Sequence, residues 1–161
     1  MAGLALVNSP EAIFNAVFCA LQDVFATMFQ EHADVVSYSE ISDIPRVSSI
    51  IGFNGPQSGF IALHFSSDMA CQLASGLLGM PVEEVDEIVQ DAIAELINMV
   101  AGGLRNRLSS SQEDFRLSLP SVVAGLEYST QGPFGSQELL MGIATERYRF
   151  KIQLVLEKNK S

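Results

Sequence analysis

Three side chains that can do chemistry lie at regular spacing in one segment of the chain, Asp91, Glu95 and Asn98, and Gly102 continues the spacing. A helix turns by about 100° per residue, so steps of four, three and four residues place them in one straight stripe. A carboxylate accepts hydrogen bonds, and the neutral amide of Asn98 both donates and accepts them. The stripe can therefore bind a partner, although most such stripes are plain solvated helix faces.

Two details favour function over a plain solvated face. Asn98 is a poor helix former that caps nothing in the middle of a helix. Gly102 and Gly103 lie in the helix interior, where each glycine costs about 0.5–1 kcal/mol relative to alanine. A stretch without side chains lets the backbone of a partner come close.

Other catalytic and metal-binding chemistry has little support. Serines are frequent, but the Gly-x-Ser-x-Gly elbow of serine hydrolases does not occur in the sequence. His64 falls in an alternating strand pattern, which predicts a surface or edge residue and not a base. Cys19 and Cys71 fall in amphipathic helical patterns, which predicts two buried, reduced thiols. Cysteines and histidines together show no metal-ligand spacing, so we expect no metal site in the chain itself.

The stripe needs a long helix to hold it, and the sequence predicts one from about residue 82 to 108, opened by Met80-Pro81. A first long helix is predicted to begin at the capping residue Ser9, with Pro10 in its first turn and apolar steps of three and four as far as Met28. The apolar face opposite the stripe is formed by Val89, Ile93, Leu96, Val100 and Leu104.

Between the two long helices the sequence predicts a β-hairpin and a short helix. The hairpin has β-rich runs at 48–53 and 60–65, joined by a turn that begins at Asn54-Gly55-Pro56. The short helix is capped by Ser66-Ser67-Asp68 and stopped by Gly79. Further strands are predicted at 121–124, 139–145 and 147–156, with a short strand within 35–45.

The two long helices resemble each other in sequence. When residues 15–22 are set over 91–98, Gln22 falls on Asn98 and Cys19 falls on Glu95. Pro45 and Pro120 follow at nearly equal distances, each before a β-rich stretch. This pattern predicts a single domain, 1–161, with pseudo-repeats at about 9–79 and 80–157. The expected fold is two-layered α/β (α+β): two helix-plus-strands units share an antiparallel sheet, with the long helices on one face.

Composition excludes several partner classes. The chain has 161 residues, of which 48% are hydrophobic and 17% charged, as in an ordinary folded domain. Its net charge of −10 repels nucleic acid phosphates and anionic lipid, so neither is an expected partner. The first nine residues lack the basic region of a secretion signal, and 13–29 is interpreted as too polar to span a membrane. We therefore expect a cytoplasmic protein.

The second long helix resembles the signature helix of the CheC/CheX family of chemotaxis phosphatases, most closely its CheX branch. That family pattern has Asp or Ser, three residues, Glu, two residues, Asn, and a proline some 22 residues further on. Asp91, Glu95, Asn98 and Pro120 match this pattern, with one residue missing before the proline. The strand from Gly59-Phe60 to Phe65-Ser66 and the acidic run 83–86 are also similar to the CheX branch.

The resemblance implies a function, a mechanism and partners. Family members hydrolyse the aspartyl phosphate of the receiver protein CheY, which supplies the Mg²⁺ and the acyl phosphate. It implies that Asn98 orients the attacking water and that Glu95 contacts the receiver's phosphate-binding lysine, with Asp91 and Gly102 contacting the partner. The degenerate pair Cys19 and Gln22 implies one working site, as in the CheX branch.

Two alternatives are also compatible with the sequence. The same surface could dock a receiver or a flagellar-switch protein without hydrolysis, or the chain could be a scaffold dimer with no receiver partner. A homodimer through sheet edges is expected in any case, by resemblance to CheX proteins. Gly125 and Gly142 give this modest support, because they weaken strands predicted near an edge.

Overall fold

The computed structural model describes residues 9–108, 115–125, 128 and 130–158. Residues 1–8, considered above for a secretion signal, lie outside this part of the chain. The helices are α1 (Pro10–Met28), α2 (Ser67–Leu78) and α3 (Glu87–Leu108). The strands are β1 (Asp34–Val36), β2 (Val47–Asn54), β3 (Gly59–Phe65), β4 (Arg116–Leu117), β5 (Ser121–Ala124), β6 (Gln137–Ala144) and β7 (Arg149–Leu156).

Local signals explain where α1 and α2 begin and end. The Ser9 hydroxyl accepts a hydrogen bond from the Ala12 backbone N–H at 3.1 Å, and Pro10 occupies the first turn. Ser66 caps α2 in the same way. Gly79 ends α2 in the left-handed conformation, with φ of 67°, which glycine adopts without steric cost. These bounds agree with the sequence prediction.

The start of α3 was predicted wrongly. The helix begins at Glu87 and not near residue 82. Two hydrogen bonds, one before the helix and one at its first turn, account for the difference. The Val82 N–H donates to the Ser75 hydroxyl at 3.1 Å, which holds this segment against α2. The carboxylate of Asp86 accepts a hydrogen bond from the Val89 N–H at 3.1 Å and so caps the helix. The cap therefore lies five residues after Pro81, which the sequence pattern indicated as the helix start.

The sheet is antiparallel throughout, with the strand order β1-β6-β7-β3-β2-β4, and β5 also pairs with β2. The apolar residues on one face of β3 and β7 join a single core with the apolar faces of the helices. This core includes Ile61, Leu63, Phe65, Ile152 and Leu154. The predicted two-layer fold with the long helices on one face is confirmed.

The topology is symmetric about the central pair β3–β7. Strand β1, from the first half, pairs with β6 from the second, and β5, from the second half, pairs with β2 from the first. This order is compatible with the predicted duplication, which stays a prediction. The matched prolines do not support it, because Pro45 precedes the inner strand β2 whereas Pro120 precedes the edge strand β5.

Gly142 lies near a sheet edge, as predicted, because β6 is the strand next to the edge strand β1. Strand β6 pairs with β7 along its length and with the three residues of β1 at Gly142–Ala144. A Cβ at Gly142 would lie 2.8 Å from side-chain atoms of both Ile41 and Val36, so this glycine lets the segment 36–41 pack closely over β6. Gly125 does follow the edge strand β5.

Helix α1 was also expected to be too polar to cross a membrane, and this was wrong on composition. Its 19 residues meet the length and mean hydropathy of a membrane-spanning helix, at 1.2 for its most apolar stretch. A helix of a protein core passes the same test. The buried side chains of α1, including Ile13, Val17, Leu21 and Phe25, belong to the core shared with α3 and the sheet.

Candidate active site

Helix α3 presents the predicted stripe to solvent. Asp91, Glu95 and Asn98 are exposed, and Gly102 is half-buried. On the opposite face, Val89, Ile93, Leu96, Val100 and Leu104 are completely buried. At 1.5 Å of rise per residue, Glu95 and Asn98 lie about 4.5 Å apart along the helix axis, so both side chains can reach one partner group.

The side chains of Glu95 and Asn98 are available for a partner. Among the residues that the structure describes, neither side chain makes a hydrogen bond or an ion pair. An asparagine in mid-helix without a local bond gains nothing for the fold from its amide. The pair therefore combines an unengaged carboxylate and an unengaged amide on a rigid, well-packed helix, which holds both at fixed separation.

The two glycines of α3 have different roles. A Cβ at Gly103 would lie 2.8 Å from the Cβ of Ala20, so this glycine permits the close contact of α3 with α1. The prediction that the glycine pair receives a partner backbone was therefore wrong for Gly103. A Cβ at Gly102 would meet nothing within 4 Å, so the surface there is open and continues the stripe.

The contact between α1 and α3 is also fastened by Arg107. Its guanidinium donates to the Gly103 carbonyl at 3.1 Å and pairs with the carboxylate of Asp23 on α1. Arg107 thus joins the two long helices.

The equivalent face of α1 is built differently. Cys19 is exposed, so the prediction of a buried thiol was wrong for it, whereas Cys71 is buried as predicted. Cys19 is the residue that falls on Glu95 when the two helix sequences are set over each other. The Gln22 amide is fully engaged, because its oxygen accepts from the Ala33 N–H at 3.0 Å and its nitrogen donates to the Ala33 carbonyl.

We predict that Gln22→Ala lowers the free energy of unfolding by about 1–3 kcal/mol and leaves the phosphate release that the family resemblance implies close to the parent rate. Two hydrogen bonds to Ala33 are lost, and each contributes about 0.5–1.5 kcal/mol. Turnover and urea denaturation of the same preparation measure the two effects. A folded Gln22→Ala protein that has lost turnover would show that α1 carries a second working site.

His64 is buried, and the prediction of a surface or edge position was wrong. It lies on the central strand β3 with 8% of its surface exposed, on the sheet face away from the helices. The alternating pattern places His64 on the face opposite the core, as observed. This face is covered by a polar cluster that includes Tyr128 and Thr130, which are distant in sequence, and the cluster buries His64.

With His64 neutral, the hydrogen bonds of this cluster assign its protons. The amide oxygen of Gln153 can only accept, so the His64 Nε2–H donates to it at 2.8 Å. His64 Nδ1 then accepts from the Ser48 hydroxyl at 2.6 Å, and Ser48 accepts from the Tyr128 hydroxyl at 2.6 Å. Burial lowers the pKa of His64 below 6.5, and the positive charge of Lys151 acts in the same direction.

We predict that stability declines as the pH falls below about 6.5. The folded state holds His64 neutral, whereas the unfolded chain binds a proton near pH 6.5, so protons favour unfolding between that pH and the lower folded-state pKa. Thermal unfolding at several pH values between 7 and 5 measures this slope. His64→Gln should flatten the slope, and an equal slope in that variant would contradict the assignment. Glu31, whose pKa is lowered by its bonds to Arg147 and Thr145 despite burial, acts only below about pH 4.5.

An apolar groove beside the pair was not predicted. It has a volume of about 420 Å³ and lies where the ends of α1 and α2 meet the first half of α3. Its apolar lining includes Met28, Leu77, Leu78, Ile88 and Met99, and Asp91 and Glu95 lie at its edge. Three helices that are distant in sequence form the groove, so the sequence pattern of any one segment could not predict it.

Among the described residues, no group of three histidine, cysteine or acidic side chains is placed to hold a metal ion. The pair Glu95 and Asn98 supplies one anionic ligand and one neutral one. The arrangement is suited to contacting a partner's cation and holding a water molecule.

Comparison with known proteins identifies the family. Residues 47–144 match the family model described as "Chemotaxis phosphatase CheX". The "CheY-P phosphatase CheX" of Thermotoga maritima is 30% identical over 116 residues, which cover 71% of this chain and 74% of that protein.

Solved structures share the fold. The chemotaxis protein CheX from Vibrio vulnificus has a TM-score of 0.76 at 24% identity, covering 93% of this chain and 99% of that one. The CheX-CheY-BeF3-Mg+2 complex from Borrelia burgdorferi has a TM-score of 0.70 at 19% identity, covering 91% and 98%. The match to the family model spans more than half of the described fold and includes the helix that carries Glu95 and Asn98, and the chain belongs to the CheX family of chemotaxis phosphatases.

Proposed function

We propose that this protein hydrolyses the aspartyl phosphate of a CheY-like receiver domain and so ends a chemotaxis or two-component signal, with Glu95 and Asn98 as the catalytic residues. The observation that carries the proposal is the exposed pair, three residues apart, on the outer face of a helix whose other face is buried. Its side chains have no partner among the described residues and are free for a second protein.

In this mechanism Asn98 enters the receiver's active site and positions a water molecule. The water oxygen attacks phosphorus in line with the bond to the aspartyl oxygen, and that bond breaks to give free aspartate and inorganic phosphate. Phosphoryl transfer depends mainly on such positioning and on stabilised equatorial oxygens. A neutral amide can hold the water without adding negative charge beside the phosphoryl group.

Glu95 sets the register of the complex. Its carboxylate accepts a charge-assisted hydrogen bond from the lysine that binds the receiver's phosphoryl group. Asp91 and Gly102 flank the pair on the same stripe, and we propose that both contact the receiver, Gly102 through its open backbone. The receiver supplies Mg²⁺, so the phosphatase contributes no cofactor of its own.

We further propose that the protein acts in the cytoplasm, where receiver domains are found, as a homodimer. Strand β5 at one sheet edge is exposed over most of its four residues, and Val123 is 37% exposed. An edge strand with free backbone groups can pair with a second copy. Light scattering is expected to give twice the 17.4 kDa mass of the chain. A monomer mass across micromolar concentrations would contradict the dimer.

The test of the function is phosphate release from radiolabelled receivers of the same cell, with and without this protein. We expect release to accelerate for at least one receiver. A receiver that binds but keeps its phosphate would instead identify a non-catalytic docking module.

A further inference from the structure

We propose that the apolar groove at the junction of α1, α2 and α3 binds an apolar side chain of the receiver domain. This side chain lies near the receiver's phosphorylated aspartate and has a lysine or arginine next to it. This inference rests on the proposed function and extends it from the catalytic pair to the surface that provides affinity. The groove is defined by Met28, Leu77, Leu78, Ile88 and Met99, with Asp91 and Glu95 at its edge.

The first argument is area. A stable protein complex buries about 800 Å² on each partner, far more than one glutamate and one asparagine supply. Binding energy concentrates in a few apolar or aromatic contacts near the centre of an interface. The receiver must therefore contact apolar surface around Glu95 and Asn98.

The second argument is direction along α3. Towards the C-terminal end, the pair is followed by Gly102 and then by Asn106 and Arg107, which are exposed polar side chains. Towards the N-terminal end lies the groove, where Ile88 is 47% exposed and Leu78 is 42% exposed. Ile88 lies about 15 Å from Asn98 along the helix axis, within the span of one interface. Among the described residues, the exposed large apolar side chains next to the pair thus lie towards the N-terminal end of α3.

The third argument is continuity and charge. Glu95 belongs both to the catalytic stripe and to the edge of the groove, so a receiver that meets Glu95 also covers the groove. Asp91 at the edge and the acidic run 83–87 nearby give this end of α3 a negative field. Such an apolar surface bordered by carboxylates attracts a receiver segment in which a basic side chain flanks an apolar one. It repels a segment in which the flanking side chain is acidic.

The test uses the full chain with Leu78→Ser, Ile88→Ser and the double variant. Both side chains are about half exposed, so their truncation opens no core cavity. The probes are the candidate receiver loaded with beryllofluoride and Mg²⁺ for binding, and the phosphorylated receiver for turnover. Ile44→Ser is the matched control, because Ile44 is 64% exposed and lies outside the groove.

We expect the double variant to raise Kd and KM about tenfold, with kcat within twofold of the parent, and Ile44→Ser to change none of these. Parent values of Kd and KM in both single variants and the double variant would overturn the groove assignment and leave the proposed function intact. A lower kcat at unchanged Kd would also overturn it. Parent protein that binds the loaded receiver but releases no phosphate would instead contradict the function, and Kd would still decide the groove.

Discussion

Replacing Asn98 with alanine is expected to slow phosphate release by about 100- to 1,000-fold, because the amide positions water mainly in the transition state. The loss should fall on kcat, since Glu95 and the rest of the surface still hold the receiver. Asn98 is exposed and unengaged, so the free energy of unfolding should change by only about 0.5 kcal/mol. Phosphate release at saturating receiver measures the effect, with receiver binding followed in parallel.

Asn106→Ala is the control for this variant. Asn106 is an exposed asparagine on the same helix, and it lies two turns, about 12 Å along the axis, beyond Asn98. We expect the control to retain parent activity and stability. Phosphate release by Asn98→Ala at the parent rate would refute the proposed role of the amide.

Replacing Glu95 with alanine is expected to weaken docking and turnover together, lowering kcat/KM by about 10- to 100-fold, the range of a hydrogen bond to a charged group. The defect relative to the parent should be largest at low ionic strength and should narrow as salt screens the lysine contact. Kinetics at several salt concentrations, with binding of the beryllofluoride-loaded receiver, measure both effects.

Removing a carboxylate also changes the net charge, and Glu146→Ala controls for this. Glu146 is exposed in the turn between β6 and β7, so its loss changes the overall charge equally without touching the stripe. We expect little effect from it. Equal defects in the two variants would mean that Glu95 acts through the general field of the protein and makes no specific contact.

The elements that the sequence predicts well are those with local signals. The cap at Ser9, the stop at Gly79 and the hairpin turn all depend on neighbouring residues. The start of α3 was misplaced because a proline signal competed with Asp86, and the bond from Val82 to Ser75, which decides between them, is not visible in the sequence. Strand β4 was missed because two residues carry no periodicity.

In the candidate site, too, the features with local sequence signals were predicted and those that depend on tertiary contacts were not. The stripe on α3 and its buried opposite face were predicted from helical periodicity alone. The groove, the burial of His64 and the contact of Gly103 with Ala20 were not predicted, because each depends on segments brought together only by the fold.

The exchange of outer strands between the two halves has a consequence for folding. With the chain divided after Gly79, the first part keeps the β2–β3 hairpin but leaves β1 without its partner, and the second part keeps β6–β7 but leaves β5 without one. Pairing of β1 with β6 closes a loop over most of the chain, a high contact order that slows folding. The helix that carries Glu95 and Asn98 therefore gains its full support only when synthesis has reached β7.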